Sequence, residues 1–413
     1  MATAPLYAAP IIKTPPQWIA KILKVPVYRM SLGNDLTSRI IIAVYRFFSA
    51  VGNFFTCKKN HFRPFDATKA QTSVERFEAL GAQVEMVTPS TGKGHIQMMS
   101  FRAQDLEGKI KDLGGTWERR IVNGREVFAI DPQRPETQGW AEFKAKLSHF
   151  KSWKEEGGVI ITSECADKIP ENAPTQCFLC AHSTSGVFAS EWFRAGFYIG
   201  AKQDFCFFDN GNTWKNSGRP PSEESFYEEI DTVYEKLQDK YNYPLSDMWV
   251  GGGCGAGPVA AYLKWRLHNQ GINFFIEQSF ADLDDFTRPI SPFMAPWIKG
   301  SLKNNSRQVD GPDCPPACQF SPAQLWKDLE KNTEGKVIFV QVEKDEHIHE
   351  ESYARYLKLC QTVNEKVHHI FFQAFPDSLW RHADDFFRHE ENRSQFYGAV
   401  FDKAKDVAVE IAE

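Results

Sequence analysis

The sequence predicts an α/β protein with a mostly parallel, doubly wound sheet, an opening antiparallel hairpin and an N-terminal helical extension. Beyond Gly158 the apolar runs are short and continuous, as in strands that helices cover on both faces. Helical patterns separate these runs, and such alternation is typical of parallel sheets. Before them, residues 82–101 alternate between polar and apolar, which is typical of antiparallel strands.

Two hairpins are predicted ahead of the parallel region. The first joins residues 82–87 to residues 95–101 through a glycine-containing turn. The second joins residues 117–122 to residues 126–130 through the Asn-Gly pair at 123–124, which is a strong signal for a two-residue turn.

The remaining elements follow in order along the chain. Residues 131–157 are predicted to be helical and polar. Strands of the parallel sheet are predicted at residues 159–161, 177–180, 205–208, 248–250, 274–276, 337–340 and 370–372. One helix is predicted over about 222–241, where apolar residues keep to one face behind an acidic first turn. Another is predicted from about Gly255 to His268, closed by Gly271.

A chain of 413 residues exceeds the usual size of one compact domain. We predict a catalytic domain over residues 76–413, preceded by an extension over residues 1–75. Within the extension, residues 38–56 are largely apolar but interrupted by Arg46, so they are too short and too charged for a spanning helix. They are predicted either to pack on the catalytic core, or to lie in a membrane interface or at the substrate entrance.

The composition of the chain bears on its binding partners, its cysteines and its localisation. A net charge of -5 argues against a nucleic-acid partner, and an aromatic fraction of 14% fits either a large core or an apolar pocket. The nine cysteines are odd in number and several lie in apolar runs, so most are predicted to be reduced and buried. No secretory signal is visible, which predicts a protein that is cytoplasmic, exported by another route, or associated with a membrane.

The glycine-rich segment 248–258 contains the residue most indicative of chemistry. It is predicted to be a strand, a tight turn and the start of a helix, with Cys254 at the apex. Gly252 and Ala256 are small residues two positions to either side, as a strained nucleophile turn requires to avoid collisions. The positive end of the following helix favours the thiolate, the reactive form. The alternatives are a buried cysteine or a phosphate loop, but the latter would need a Gly-Lys-Ser or Gly-Lys-Thr sequence.

This turn, the strand order and the residues that follow resemble the α/β-hydrolase superfamily over roughly residues 80–413. A cysteine in the turn is similar to dienelactone hydrolases and polyhydroxyalkanoate synthases, whereas most members carry serine. The resemblance implies a nucleophile, an acid and a histidine in that order along the chain. Asp345, after the strand at 337–342, is the predicted acid, and His382, after the last strand, is the predicted base.

Other acidic and histidine residues compete for these roles. Asp282 and Asp284 are alternatives for the acid, and His389 is an alternative for the base. His347 and His349 are predicted to be loop residues near the pocket mouth. They could also bind metal, but no third ligand is evident, and we expect no metal and no cofactor.

The resemblance also implies an oxyanion hole. One donor is predicted to be the backbone N–H of Gly255. The other is predicted in the loop 181–186, at either Ser183 or Thr184, where the family has a His-Gly loop. His182 in the same loop, together with Trp214 in the loop that follows the next strand, is predicted to contact the substrate or shape its pocket.

An insertion rich in proline and aromatic residues spans about residues 287–322, where this superfamily places lids. It is predicted to be a lid or a plain surface connection. Its Cys314 and Cys318 have a spacing that leaves a disulfide between them undecided.

Together these features predict hydrolysis of an ester or thioester through a Cys-His-Asp triad and an acyl-enzyme. The predicted substrate is a small-molecule or lipid-like acyl compound, and a peripheral membrane contact through residues 38–56 would bring the protein to such a substrate. Two alternatives remain, an acyltransferase with the same triad and an inactive hydrolase scaffold that acts as a binding module.

Overall fold

The computed structural model describes most of the chain from residue 67 onward. The described residues are 67–92, 94–148, 150, 152–181, 192–208, 223–282, 285, 321–327, 329, 333–345, 348–364, 366–373 and 386–402.

Two sheets organise the described residues. The strands, numbered in chain order, are β1 (Gln83–Val87), β2 (Ile96–Phe101), β3 (Gly115–Val122), β4 (Arg125–Pro132), β5 (Lys154–Glu156), β6 (Val159–Ser163), β7 (Cys177–Ala181), β8 (Asp204–Phe208), β9 (Met248–Gly253), β10 (Asn273–Glu277), β11 (Val337–Val342) and β12 (Val367–Phe372). The central sheet has eight strands in the order β1-β2-β8-β7-β9-β10-β11-β12, and the second has four in the order β3-β4-β6-β5.

The central sheet has the topology of the α/β-hydrolase fold. Strand β2 is antiparallel to both of its neighbours, β1 and β8. From β8 to β12 every neighbouring pair is parallel. The predicted fold class, including the opening antiparallel hairpin, is therefore confirmed by strand order and direction.

Helices cover this sheet on both faces. In chain order they are α1 (Ala67–Leu80), α2 (Ala103–Asp112), α3 (Gln138–Leu147), α4 (Trp192–Gly200), α5 (Glu223–Tyr241), α6 (Gly257–Arg266), α7 (Pro322–Lys327), α8 (Glu350–Val363) and α9 (Glu390–Val400). Successive side chains of one strand point to opposite faces. Phe178 and Trp249 therefore pack in one apolar cluster, while their neighbours Leu179 and Val250 pack in the other. This double burial explains the continuous apolar runs of the sequence.

The hairpin predicted around the Asn-Gly pair is confirmed as β3 and β4. Asn123 has φ of 47° and Gly124 has φ of 76°. Two successive positive φ values define the turn type that Asn-Gly favours and that matches the twist of the strands it joins.

The prediction that residues 159–161 form a strand of the parallel sheet was wrong. These residues form a strand, β6, but it pairs antiparallel with β4 and β5 in the second sheet and is no part of the parallel one. The apolar run of β6 is continuous for a different reason from the runs of the parallel strands. Val159 and Ile161 pack in a small cluster with Val127 and Ala129, whereas Ile160 faces the main core. Apolar packing on both faces thus arises here without a parallel neighbour.

The prediction of helix across residues 131–157 was too broad. The helix covers only Gln138–Leu147, and β5 follows at Lys154–Glu156. Gly157 and Gly158 have φ of 60° and 81°, which turns β5 back onto β6 as a hairpin.

Helix α1 joins the predicted extension to the α/β core. Its residues Phe77 and Leu80 are fully buried in the main cluster. Because the helix begins at Ala67, it crosses the predicted boundary at residue 75. The stretch 38–56 lies outside the described residues. Across the part of the chain that is described, no helix has the length and apolar character needed to cross a bilayer.

Helix α6 contains a buried lysine, Lys264. Lys264 is 1% exposed, and its ammonium donates to the backbone carbonyl oxygens of Ile272 and Glu334. Burial lowers the pKa of Lys264 to about 7, and the charges of Glu334 and Cys360 oppose that shift only in part. A neutral amine still has two N–H donors, so it can keep both bonds after losing its proton.

Lys264 is expected to make the folded protein more stable as pH rises from about 7 toward 8.5. The folded-state pKa lies below the unfolded value of 10.5, so in this window unfolding takes up a proton and the free energy of unfolding increases with pH. Urea unfolding at pH 6.5, 7.5 and 8.5 should give wild type a slope that exceeds that of Lys264→Met by up to about 1.4 kcal/mol per pH unit. Lys358→Met, at an exposed position of α8, is the control. Parallel slopes for wild type and Lys264→Met would contradict the expectation.

Candidate active site

Cys254 lies at the apex of a tight turn between β9 and α6. Its φ of 50° places the backbone in the left-handed region, which is costly for a residue with a side chain. A single 3-10 turn, Cys254–Ala256, leads directly into the helix at Gly257. The predicted strained strand-turn-helix geometry is therefore present, with the cysteine at the start of a helix whose first N–H groups lack partners within the helix.

Gly252 makes this turn sterically feasible. A Cβ atom at Gly252 would lie 2.6 Å from the carbonyl oxygen of Ala256 and 2.8 Å from its carbonyl carbon. The near atoms all belong to the backbone, those of Ala256 and the nitrogen of Gly257 at 3.2 Å, so the side chain of Ala256 takes no part in the collision. Ala256 is fully buried in the second apolar cluster. Alanine therefore fits at position 256 without disturbing the turn.

Two further close approaches were not foreseen from the sequence. A Cβ atom at Gly251 would lie 1.9 Å from the ring of Phe275, and one at Gly257 would lie 2.0 Å from Oγ of Ser279. Ser279 is 1% exposed and donates its hydroxyl to the carbonyl oxygen of Cys254 at 2.7 Å. The chain after β10 thus holds the strained peptide of Cys254 in place. The repeated glycines were the available signal, but they do not identify the contacting residues.

Cys254 differs from the other described cysteines in its exposure. Cys254 is half-buried, whereas the others are buried and form no disulfide, namely Cys165, Cys177, Cys180, Cys206 and Cys360. Burial raises the pKa of Cys165 to about 11 and raises the pKa values of Cys177, Cys206 and Cys360 as well. The prediction of reduced, buried thiols is confirmed for these residues. Among the cysteines that the structure describes, Cys254 is the one that a reagent in solution can reach.

Asp345 lies just beyond the carboxyl end of β11. Its Oδ1 accepts the backbone N–H of Ile348 at 3.0 Å, and its Oδ2 accepts the hydroxyl of Tyr353 at 2.6 Å. Both oxygens are therefore held, one by the loop and one by α8. Each carboxylate oxygen has two lone pairs, so this arrangement still leaves room for an imidazole N–H.

Tyr353 is a buried partner of Asp345. Burial raises the pKa of Tyr353 well above its usual value, and the negative charge of Asp345 adds to the rise. Smaller contributions in the same direction come from Cys254 and Glu277. Strands β9, β10 and β11 are parallel neighbours, so Cys254 and Asp345, which follow β9 and β11, lie at the same edge of the sheet.

The structure adds an ion pair that sequence reasoning missed. Glu277, the last residue of β10, is 3% exposed and pairs in register with Gly253. Its Oε2 lies 2.7 Å from Nη2 of Arg194, near the start of α4. This pair connects the strand beside the nucleophile turn to the helix that follows residues 182–191. The signal in the sequence was a glutamate at the end of the fully apolar run 274–276.

The alternative acids and bases have other neighbours. Asp282 forms an ion pair with Arg355 at 2.7 Å and accepts the hydroxyl of Ser321. His389 begins α9 with its ring 5.7 Å from that of Phe372, and His349 is exposed at the start of α8. Asp284 and His347 lie outside the described residues. Over the residues that the structure does describe, no three His, Cys, Asp or Glu side chains are grouped closely enough to hold a metal ion.

Several predicted site residues lie outside the described residues and stay predictions. They are the base His382, the oxyanion candidates Ser183 and Thr184, the substrate contacts His182 and Trp214, and most of the insertion 287–322 with Cys314 and Cys318. Gly255 is described, half-buried, and lies in the 3-10 turn directly after Cys254. Its role as an oxyanion donor also stays a prediction.

Comparison with known proteins gives structural similarity alone. The chain matches no protein-family model and no curated protein. An alpha-beta hydrolase from Vibrio vulnificus aligns with a TM-score of 0.45 and 13% identity, over 81% of this chain and 84% of that one. An esterase from Pyrobaculum calidifontis aligns with a TM-score of 0.44 and 8% identity, over 87% and 98%. A thermophilic carboxylesterase from a metagenomic library gives 0.45 and 8%, over 81% and 93%. The fold assignment rests on the strand order and directions described above.

Proposed function

We propose that this protein is an α/β-hydrolase that cleaves an ester or thioester through an acyl-enzyme on Cys254. The observation that carries the proposal is the half-buried cysteine at φ of 50° between β9 and α6. A strained backbone persists where the surrounding structure enforces it, and such residues cluster at active sites. The position of Asp345 beyond the carboxyl end of β11, at the sheet edge where β9 also ends, supports the same assignment.

The proposed reaction has two stages. His382 removes the proton from Cys254, and Sγ attacks the carbonyl carbon of the substrate. Asp345 orients the imidazole and stabilises its charged form. The oxyanion is held by the N–H of Gly255 and a donor from Ser183 or Thr184. The leaving alcohol or thiol takes the proton from the imidazolium, and a water molecule, deprotonated by His382, then releases the acid and restores the thiol.

The chemistry of sulfur favours particular substrates. A thiolate forms a thioester as the intermediate, so activated esters, lactones and thioesters are better substrates than amides, whose leaving groups are poorer. The aromatic fraction of 14% and the apolar stretch 38–56 favour an apolar, lipid-like acyl chain.

An acyl group on Cys254 is the expected result of mixing the protein with activated esters and acyl thioesters of graded chain length. Intact mass measured within the first turnover should increase by the mass of one acyl group, and peptide mapping should place it on Cys254. Hydroxylamine should remove it, because the bond is a thioester. His382→Ala should form the adduct much more slowly, since removing a base costs about 10²- to 10⁴-fold.

The same experiment separates the competing functions. Release of free acid identifies a hydrolase, whereas transfer of the acyl group to added alcohol or thiol identifies an acyltransferase. Acylation at another residue, or none with any substrate, would contradict the proposal and favour a binding module.

A further inference from the structure

Tyr353 lies on the first turns of α8 and is fully buried. Its hydroxyl donates to Oδ2 of Asp345 at 2.6 Å, a length typical of a hydrogen bond to a charged carboxylate. The ring packs edge-on against Phe339 of β11, with the centroids 6.0 Å apart. The phenol is therefore fixed by a strand of the central sheet and cannot move away from the carboxylate without disturbing the core.

The carboxylate of Asp345 is held at two points. The N–H of Ile348 binds Oδ1 at 3.0 Å, and Tyr353 binds Oδ2. Rotation of the carboxylate would break one or both bonds. Because Ile348 is itself fully buried, the loop that carries this N–H is anchored as well. The plane of the carboxylate is thus set before any partner approaches.

The electrostatic environment keeps Tyr353 as a donor. Burial and the neighbouring charge of Asp345 both disfavour the phenolate, which raises the pKa of Tyr353 well above its usual range. The hydroxyl therefore holds its proton at any working pH and can only stabilise the carboxylate.

We propose that Tyr353 is a positioning residue that fixes the orientation of Asp345 and so sets the catalytic histidine for proton transfer with Cys254. The inference rests on the proposed function, because it assigns Asp345 as the acid. Losing the hydroxyl would remove the bond to Oδ2, loosen the orientation of Asp345 and concentrate more negative charge on its oxygens. Both changes act on the imidazole, and neither removes a contact with the substrate.

Tyr353→Phe tests this role, and α8 supplies a matched control. Tyr356 lies one turn further along the helix, is equally buried and packs on the same Phe339 at 5.5 Å. Unlike Tyr353, its hydroxyl has no hydrogen-bond partner among the described residues. Tyr356→Phe therefore makes the same chemical change without touching Asp345.

Tyr353→Phe is expected to lower kcat by about 10- to 100-fold with little change in KM, by analogy with the loss seen when a hydrogen-bonding partner that orients a metal-binding side chain is removed. The acidic limb of the pH profile of kcat/KM should move to higher pH, because imidazolium beside a more basic carboxylate holds its proton more strongly. Tyr356→Phe should keep the wild-type kcat and pH profile. All assays are run well below each variant's measured unfolding midpoint, so that loss of fold does not contribute.

A double-mutant cycle with Asp345→Asn decides whether Tyr353 acts through Asp345. If it does, Tyr353→Phe has little further effect on kcat in the Asp345→Asn background, whereas independent effects multiply. Wild-type acylation at Cys254 is measured first. Its absence would overturn the proposed function together with this inference. Acylation at Cys254 with an unchanged kcat and pH profile in Tyr353→Phe, or with multiplicative effects in the cycle, would overturn the role of Tyr353 alone.

Discussion

Replacing Cys254 by alanine is expected to lower kcat/KM for ester and thioester substrates by about 10⁴- to 10⁶-fold, the range seen when a triad nucleophile is removed. The substitution removes the only atom that the proposed reaction acylates. Because Cys254 is half-buried and not part of the core, the fold should survive. Steady-state kinetics and urea unfolding of the same preparation would measure both effects.

Cys360→Ala provides the matched control for this loss. Cys360 is a fully buried thiol in α8, and burial raises its pKa. Its removal should reduce stability slightly by leaving a small cavity, and it should leave kcat unchanged. A Cys254→Ala variant that kept more than about a tenth of the wild-type activity would rule out the covalent mechanism, since residual catalysis without a nucleophile falls far below that.

Gly252→Ala is expected to reduce both the stability and the activity of the protein. The new Cβ would lie 2.6 Å from the carbonyl oxygen of Ala256, and a backbone atom cannot move aside as a side chain can. The turn or the start of α6 must shift, which displaces Sγ of Cys254. We expect a loss of about 1 to 3 kcal/mol in the free energy of unfolding and about 10²-fold in kcat, the cost of misplacing a reacting atom by roughly 1 Å.

Substitutions at two other glycines serve as controls for Gly252→Ala. Gly253 is the next residue, has an ordinary extended backbone, and its Cβ would lie 3.2 Å from its nearest neighbour, the carbonyl oxygen of Glu277. Gly253→Ala should therefore cost less than Gly252→Ala in both measurements. Gly108 in α2 has open space around it, so Gly108→Ala should stabilise the protein by about 0.5 to 1 kcal/mol. Equal losses for Gly252→Ala and Gly253→Ala would show that the backbone contact with Ala256 does not control the turn.

The fold was largely predictable because its signals are local. The lengths of the apolar runs gave the strands of the central sheet, and the Asn-Gly pair at 123–124 gave the turn of the second hairpin. The turn at Cys254 was visible because a left-handed backbone and close packing both demand small residues, and these stand within a few positions of one another.

Partners distant along the chain could not be predicted in the same way. The apolar run 159–161 looks like a parallel strand, but β6 is covered by the main core on one face and a small cluster on the other. An apolar run indicates that a strand is buried, but it does not indicate which other strand pairs with it. Similarly, a glutamate and an arginine on separate elements give no sign that Glu277 and Arg194 form a buried pair.

The sequence by itself determined where most of the strands fall, and that a cysteine occupies a strained turn between a strand and a helix. Each depends on neighbouring residues and on a repeat of a few positions. Tertiary structure alone decided that Ser279 holds the peptide of Cys254 and that Tyr353 holds Asp345. The physical reason is that a hydrogen bond is set by the position and direction of two atoms, and those are fixed only when the sheet brings its strand ends together.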